Sequence, residues 1–145
     1  MSTTYIPQAL RQQAYEIFGS RCAYCLSPEW IIGTAFTIDH IIPESLGGQT
    51  IAENLCLACF ACNAIKGTQI SALDPQTKQL VPLFHPYQQD WFEHFTWQAE
   101  GLQIAGLTPT GRATINALKL NRPLLVNARS WWVQAGWHPP GHPRE

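Results

Sequence analysis

Two Cys-x2-Cys pairs, Cys22/Cys25 and Cys59/Cys62, constrain this chain more than any other feature. Its 145 residues fit one domain, residues 1–145, and leave little room for a second. Four thiolates brought together suit tetrahedral zinc, and a site with four sulfur ligands has no open position, so such a zinc is structural. Reduced core cysteines or redox chemistry would be the other readings of the pairs. Location favours the metal. No apolar run reaches the length of a membrane span, and the first thirty residues lack a basic segment followed by an apolar one. A cytoplasmic protein is expected, and there thiols stay reduced. Cys56 fits neither pair and reads as a small buried apolar residue.

A zinc staple still needs a core around it. Hydrophobic residues make up 46% of the chain, and six Trp, six Phe and four Tyr supply large buried areas. The net charge of −1 does not by itself point to a polyanionic partner. Its distribution says more. Residues 1–108 carry four Lys/Arg against nine Asp/Glu, whereas residues 109–145 carry five against one. Arg112, Lys119, Arg122 and Arg129 are therefore candidate phosphate contacts, with a solvated helical face as the plainer alternative.

Along the chain, Pro7–Phe18 predicts a helix with Leu10, Ala14, Ile17 and Phe18 on one face, stopped at Gly19. Phe36–Ile42 is rich in β-branched residues and predicts a strand ended by Pro43. Gly47-Gly48 supplies a turn, and Asn54–Ala58 a short second strand. Cys59–Lys66 predicts a helix ended by Gly67. Pro75, Pro82 and Pro86 suggest an extended connection over 68–90. Further on, Phe92–Trp97 and Leu102–Leu107 predict a hairpin turning at Glu100-Gly101, and Thr108-Pro109 starts a helix to about Leu118. Asn121-Arg122-Pro123 opens another, with Leu124, Leu125, Ala128, Trp131, Trp132 and Ala135 as candidate buried positions. The fold class is α+β.

Between the cysteine pairs lie Asp39-His40, Gly47-Gly48 and Asn54-Leu55, and Asn63-x-x-Lys66-Gly67 follows Cys62 directly. This order resembles the HNH endonuclease family in its zinc-knuckle form, over a core of about residues 21–67. A looser likeness to small bacterial members covers Leu107–Ile115 and Asn121–Leu125, within an extension over 84–137. The resemblance implies a ββα-metal finger holding one divalent cation, to which the patterns above add an N-terminal helix and a C-terminal hairpin plus two helices. It implies His40 as general base, Asp39 and Asn63 as metal ligands, and Asn54 as the hydrogen-bonding residue that fixes the loop carrying His40. Asn63 stands where the family name has His, an HNN variant. An amide oxygen is harder than imidazole, so Mg²⁺ or Mn²⁺ is expected there rather than Zn²⁺ or Ni²⁺.

These groups suit phosphodiester hydrolysis. Imidazole, with a reference pKa of about 6.5, can take a proton near neutral pH. A hard cation can neutralise charge on the phosphate and the departing 3′ oxygen. Lys66 could contact phosphate or cap its helix. Nucleic acid, DNA in the first place, is the expected substrate, although the motif alone does not separate DNA from RNA. A non-catalytic, zinc-stapled binding module would keep the knuckles without needing Asp39, His40 and Asn63. His85, His94, His138 and His142 have no partners at ligand spacing and are read as structural or solvent-facing.

Overall fold

The structure is a computed structural model describing residues 4–141. His142, whose expected solvent-facing or structural role was noted above, lies outside the described residues. The fold is mixed α+β, built from small hairpins and helices. Compactness divides it into two units, residues 1–70 with 85–89, and residues 71–84 with 90 onward. No helix among the described residues is long and apolar enough to cross a membrane.

The first unit starts with helix α1 (Gln8–Phe18), which buries Ala14 and ends on Gly19 in the left-handed conformation. A short helix α2 (Glu29–Ile32) follows; four residues are too few for a periodic signal. Strands β1 (Thr37–His40) and β2 (Leu55–Ala58) pair antiparallel, with Asp39 opposite Cys56 and His40 opposite Leu55. All of β2 is buried. Helix α3 (Phe60–Lys66) completes a ββα unit, and the N–H of Ala23 in the first knuckle docks on the Leu57 carbonyl at 2.7 Å. The core here is Tyr24, Leu55, Leu57 and the cysteines.

The second unit contains a hairpin where the prolines suggested an extended connection. Strands β3 (Ser71–Leu73) and β4 (Leu80–Pro82) pair antiparallel. Pro75 sits in the turn and Pro82 at the strand's end, positions that lose no interior ladder bond. Asp74 stabilises the turn by accepting from the N–H groups of Gln76 and Thr77. Helix α4 (Trp91–His94) leads into the expected hairpin, β5 (Phe95–Gln98) with β6 (Gln103–Gly106). Helices α5 (Pro109–Leu118) and α6 (Pro123–Gln134) follow, and the Thr108 hydroxyl caps α5 by accepting from Gly111 N–H. Phe84, Trp91, Phe95, Ile104, Leu118, Leu120 and Trp132 are buried in this unit. Leu125 and Trp132 are buried as expected, but Leu124 is 85% and Trp131 63% exposed, and Ala135 is exposed too. The α6 sequence places apolar residues side by side at 124–125 and 131–132; neighbours on a helix point about 100° apart, and here the narrow buried stripe through Leu125, Arg129 and Trp132 takes one of each pair.

Candidate active site

The four paired cysteines converge. Their sulfur atoms all lie within 4.8 Å of one another, each is buried, and none forms a disulfide. Cys25 Sγ and Cys59 Sγ are 3.8 Å apart, about the edge of a tetrahedron with Zn–S bonds of roughly 2.3 Å. Cys59 also caps α3, its sulfur accepting the Cys62 N–H at 3.4 Å. Burial pushes the Cys22 thiol well above its ordinary value, while hydrogen bonds from the neighbouring cysteines pull Cys25 well below its own; four thiolates together would need the charge that a bound zinc supplies. The donor set fits structural zinc. Cys56 stands outside it, buried, with Sγ 3.6 Å from the Tyr24 hydroxyl.

Beside the knuckles lies a cleft of about 530 Å³. Asp39, His40 and Asn63 all line it, together with Thr37, Glu44 and Arg11. Successive strand residues normally face opposite sides. The cleft runs along β1 and past its end, so that every residue from Phe36 to His40 borders it; after His40 the chain turns through Ile41-Ile42-Pro43 into a short 3₁₀ helix, Glu44–Leu46.

Asp39 is nearly buried, and its two oxygens have different surroundings. Oδ2 accepts from the Tyr24 hydroxyl at 2.8 Å and pairs with Lys66 Nζ at 3.0 Å. Among the described residues Oδ1 meets no partner, and it is not sealed from solvent. Burial pushes this carboxyl above its ordinary value, and the Lys66 ammonium and Tyr24 hydroxyl oppose that push. Lys66 is only 2% exposed, and it also donates to the His40 carbonyl at 3.3 Å. It therefore spans from α3 to β1 as a buried partner of Asp39. Neither role suggested by its position at the helix end, phosphate contact or C-terminal cap, describes that geometry.

His40 Nε2 lies 2.9 Å from the Thr50 hydroxyl, a partner that no motif spacing singles out. Asn63 donates its amide N–H to Thr37 Oγ1 at 2.8 Å, which assigns the carbonyl oxygen to the opposite side of the amide. Asn54 clamps the loop after β1 from both sides. Its Oδ1 accepts from Ile42 N–H at 2.8 Å, and its Nδ2 donates to the Ile42 and Gln49 carbonyls at 3.0 and 2.9 Å. Gly48 is obligatory beside this clamp: a Cβ there would stand 1.7 Å from the Ile42 carbonyl oxygen.

The basic residues of the second unit are not one stripe. Arg129 is 0% exposed and donates to the Leu102 and Leu120 carbonyls at 3.1 and 2.8 Å. Burial removes it from the candidate phosphate contacts. Arg122 donates to the carbonyls of Leu118 and Lys119 at the end of α5. Arg112 makes a two-point contact with buried Asp74, at 3.0 and 2.9 Å. Lys119 is exposed. Arg112, Lys119 and Arg122 line a second cleft of about 600 Å³. Among the remaining histidines, His138 is buried against the Gly101 carbonyl and His94 bonds Thr108.

The Arg112 guanidinium holds the Asp74 carboxyl well below the usual carboxylate range. A depressed folded value contributes stability that is complete above the unfolded pKa of about 3.9 and is lost as pH falls below it. An Arg112→Met variant is expected to start losing the second unit's structure at higher pH than the native chain during acid titration. Identical acid midpoints by circular dichroism would show the pair to be indifferent to stability.

The comparisons with known proteins bear on the same segment. Residues 22–69 match the model of the HNH endonuclease family. No curated protein and no solved structure matches the chain. The matched segment begins at the first zinc-ligand candidate and contains the Asp39–His40 strand, the Asn54 clamp and α3. Residues 22–69 are thus an HNH endonuclease domain, the phosphodiester-hydrolysing part of a nuclease that acts on nucleic acid.

Proposed function

We propose that this domain cuts DNA by a mechanism using one divalent cation, with His40 as the general base. One observation carries the proposal: Asp39, His40 and Asn63, from a strand end and a helix, line a single cleft. The cleft's donor set fits a hard cation. Asp39 would bind it through Oδ1, the oxygen left after Tyr24 and Lys66 take Oδ2, and Asn63 through its amide oxygen. Mg²⁺ or Mn²⁺, when bound, supplies charge neutralisation at the phosphate and the departing 3′ oxygen.

The remaining work falls to side chains of this chain. With Nε2–H donated to Thr50 Oγ1, His40 keeps a lone pair on Nδ1 to take a proton from the attacking water. Asn54, by clamping Ile42 and Gln49, fixes the backbone directly after His40 and so holds the imidazole. Zinc at the four cysteines does no chemistry, since four sulfurs leave no position for water or phosphate. In the second unit, Lys119 and Arg122, with Arg112 beside them, are offered to backbone phosphates.

Incubating the purified chain with supercoiled plasmid, single-stranded DNA and RNA tests this reading. Cleavage of plasmid is expected with Mg²⁺ or Mn²⁺ and not when the divalent cation is withheld, with zinc content equal in both samples. A Lys119→Ala/Arg122→Ala double variant should bind DNA more weakly, with a flatter salt dependence. Intact plasmid under every metal condition would refute the proposal, and cleavage of RNA alone would reassign the substrate.

A further inference from the structure

We propose that Arg11, on the N-terminal helix, is the substrate-binding cation of the catalytic cleft and grips a backbone phosphate of the strand being cut. This rests on the reading that the cleft cuts nucleic acid. A charge inventory points to it. Residues 1–70 hold three Lys/Arg: Arg11, Arg21 and Lys66. Lys66 is buried on Asp39, and Arg21 is partly buried, donating to the Leu26 carbonyl away from the cleft lining. Among the described residues, Asp39 and Glu44 are the carboxylates lining the cleft, and Arg11 is its one Lys or Arg. A phosphodiester entering there meets two carboxylates, and besides the divalent cation only Arg11 offers it a full positive charge.

The geometry supports the same role. Arg11 is exposed, yet its Nε donates to the Ile6 carbonyl at 3.2 Å. Ile6 is buried and lines the cleft as well, so this anchor is fixed. One side of the guanidinium is thereby held by the backbone. Neither ion pair among the described residues involves Arg11, and its terminal nitrogens hold no partner there. Glu44, which lines the same cleft, accepts from the Thr4 hydroxyl at 2.8 and 2.7 Å and forms neither of those two pairs. A planar fork anchored at one nitrogen and open at the other two is suited to a phosphate's non-bridging oxygens. Because Arg11 lies on α1, outside residues 22–69, the helix would supply a binding group to the domain that follows it.

The test measures binding of a short DNA duplex to the full chain by fluorescence anisotropy, in Mg²⁺ and over a range of NaCl, in a His40→Ala background that prevents cutting. Arg11→Ala is expected to weaken binding about threefold to tenfold at low salt. The slope of log K against log salt should fall by about 0.9, the loss of one phosphate contact. Arg11→Lys should recover the slope. With His40 intact, Arg11→Ala should raise KM and change kcat by less than about twofold, with zinc content and melting temperature unaltered. Unchanged affinity and slope in Arg11→Ala, beside a wild-type chain that binds and cuts, would overturn this inference alone. A wild-type chain that neither binds nor cuts would overturn it together with the proposed function.

Discussion

Serine at Cys59 should leave the chain without zinc and unfold its first unit. Cys59 supplies one of four sulfurs within 4.8 Å of one another and also caps α3. A structural zinc contributes about 10–16 kcal/mol in small peptides near neutral pH, as much as a whole domain's net stability of about 5–15 kcal/mol. Three remaining thiolates cannot recover that. The same change at Cys56 should be mild, because Cys56 lies outside the cluster and a serine hydroxyl could still meet Tyr24 and Asp39. A cost of about 1 kcal/mol is expected there. Elemental analysis and thermal melts on both variants decide the matter. Wild-type protein should carry about one zinc per chain; folded protein with no tightly bound metal would end the zinc assignment.

Three substitutions in the cleft should separate the base from the ligands. His40→Ala is expected to lose about a hundredfold to ten-thousandfold in cleavage rate while Mn²⁺ affinity stays near wild type. Asp39→Ala should weaken Mn²⁺ binding. It also strips Lys66 of its buried partner, so its melting temperature should drop as well. Asn63→His keeps a ligand and should shift preference toward softer cations such as Ni²⁺. Cleavage rate against metal concentration, with Mn²⁺ binding followed separately, distinguishes the three. Wild-type cutting by His40→Ala would remove the base from the mechanism.

The parts of this molecule that could be read from sequence are those where chemistry is written in spacing. Two Cys-x2-Cys pairs, an Asp-His dipeptide in a β-branched run, and Pro109 after a Thr cap are local signals. The cysteine cluster, β1 and α5 lie where those signals place them. What sequence missed depends on contacts across the chain. Thr50 and Arg11 stand 10 and 29 residues from His40, with no pattern linking them to it. Arg129 looked like a surface cation, but it is the middle member of a buried i, i+4, i+7 stripe with Leu125 and Trp132. Its charge is tolerated there because backbone carbonyls accept from both of its terminal nitrogens. The β3–β4 hairpin was hidden by prolines that occupy its turn and its end.

Tyr24 is a residue of the first zinc knuckle, between Cys22 and Cys25, and its hydroxyl holds Asp39. Asn63 and Lys66 follow Cys62 on the helix that the second knuckle begins. Asp39 and His40 stand on β1, but Tyr24 and Lys66, whose side chains hold Asp39, and the third cleft residue, Asn63, are mounted on the two segments that the cysteine cluster joins. On the proposed function, a newly made chain that has not yet met zinc would lack the frame for its cutting site, whatever its supply of Mg²⁺. On the same proposal, metallation would be a maturation step: the nuclease would become dangerous to nucleic acid only after a metal that takes no part in the cut had been installed.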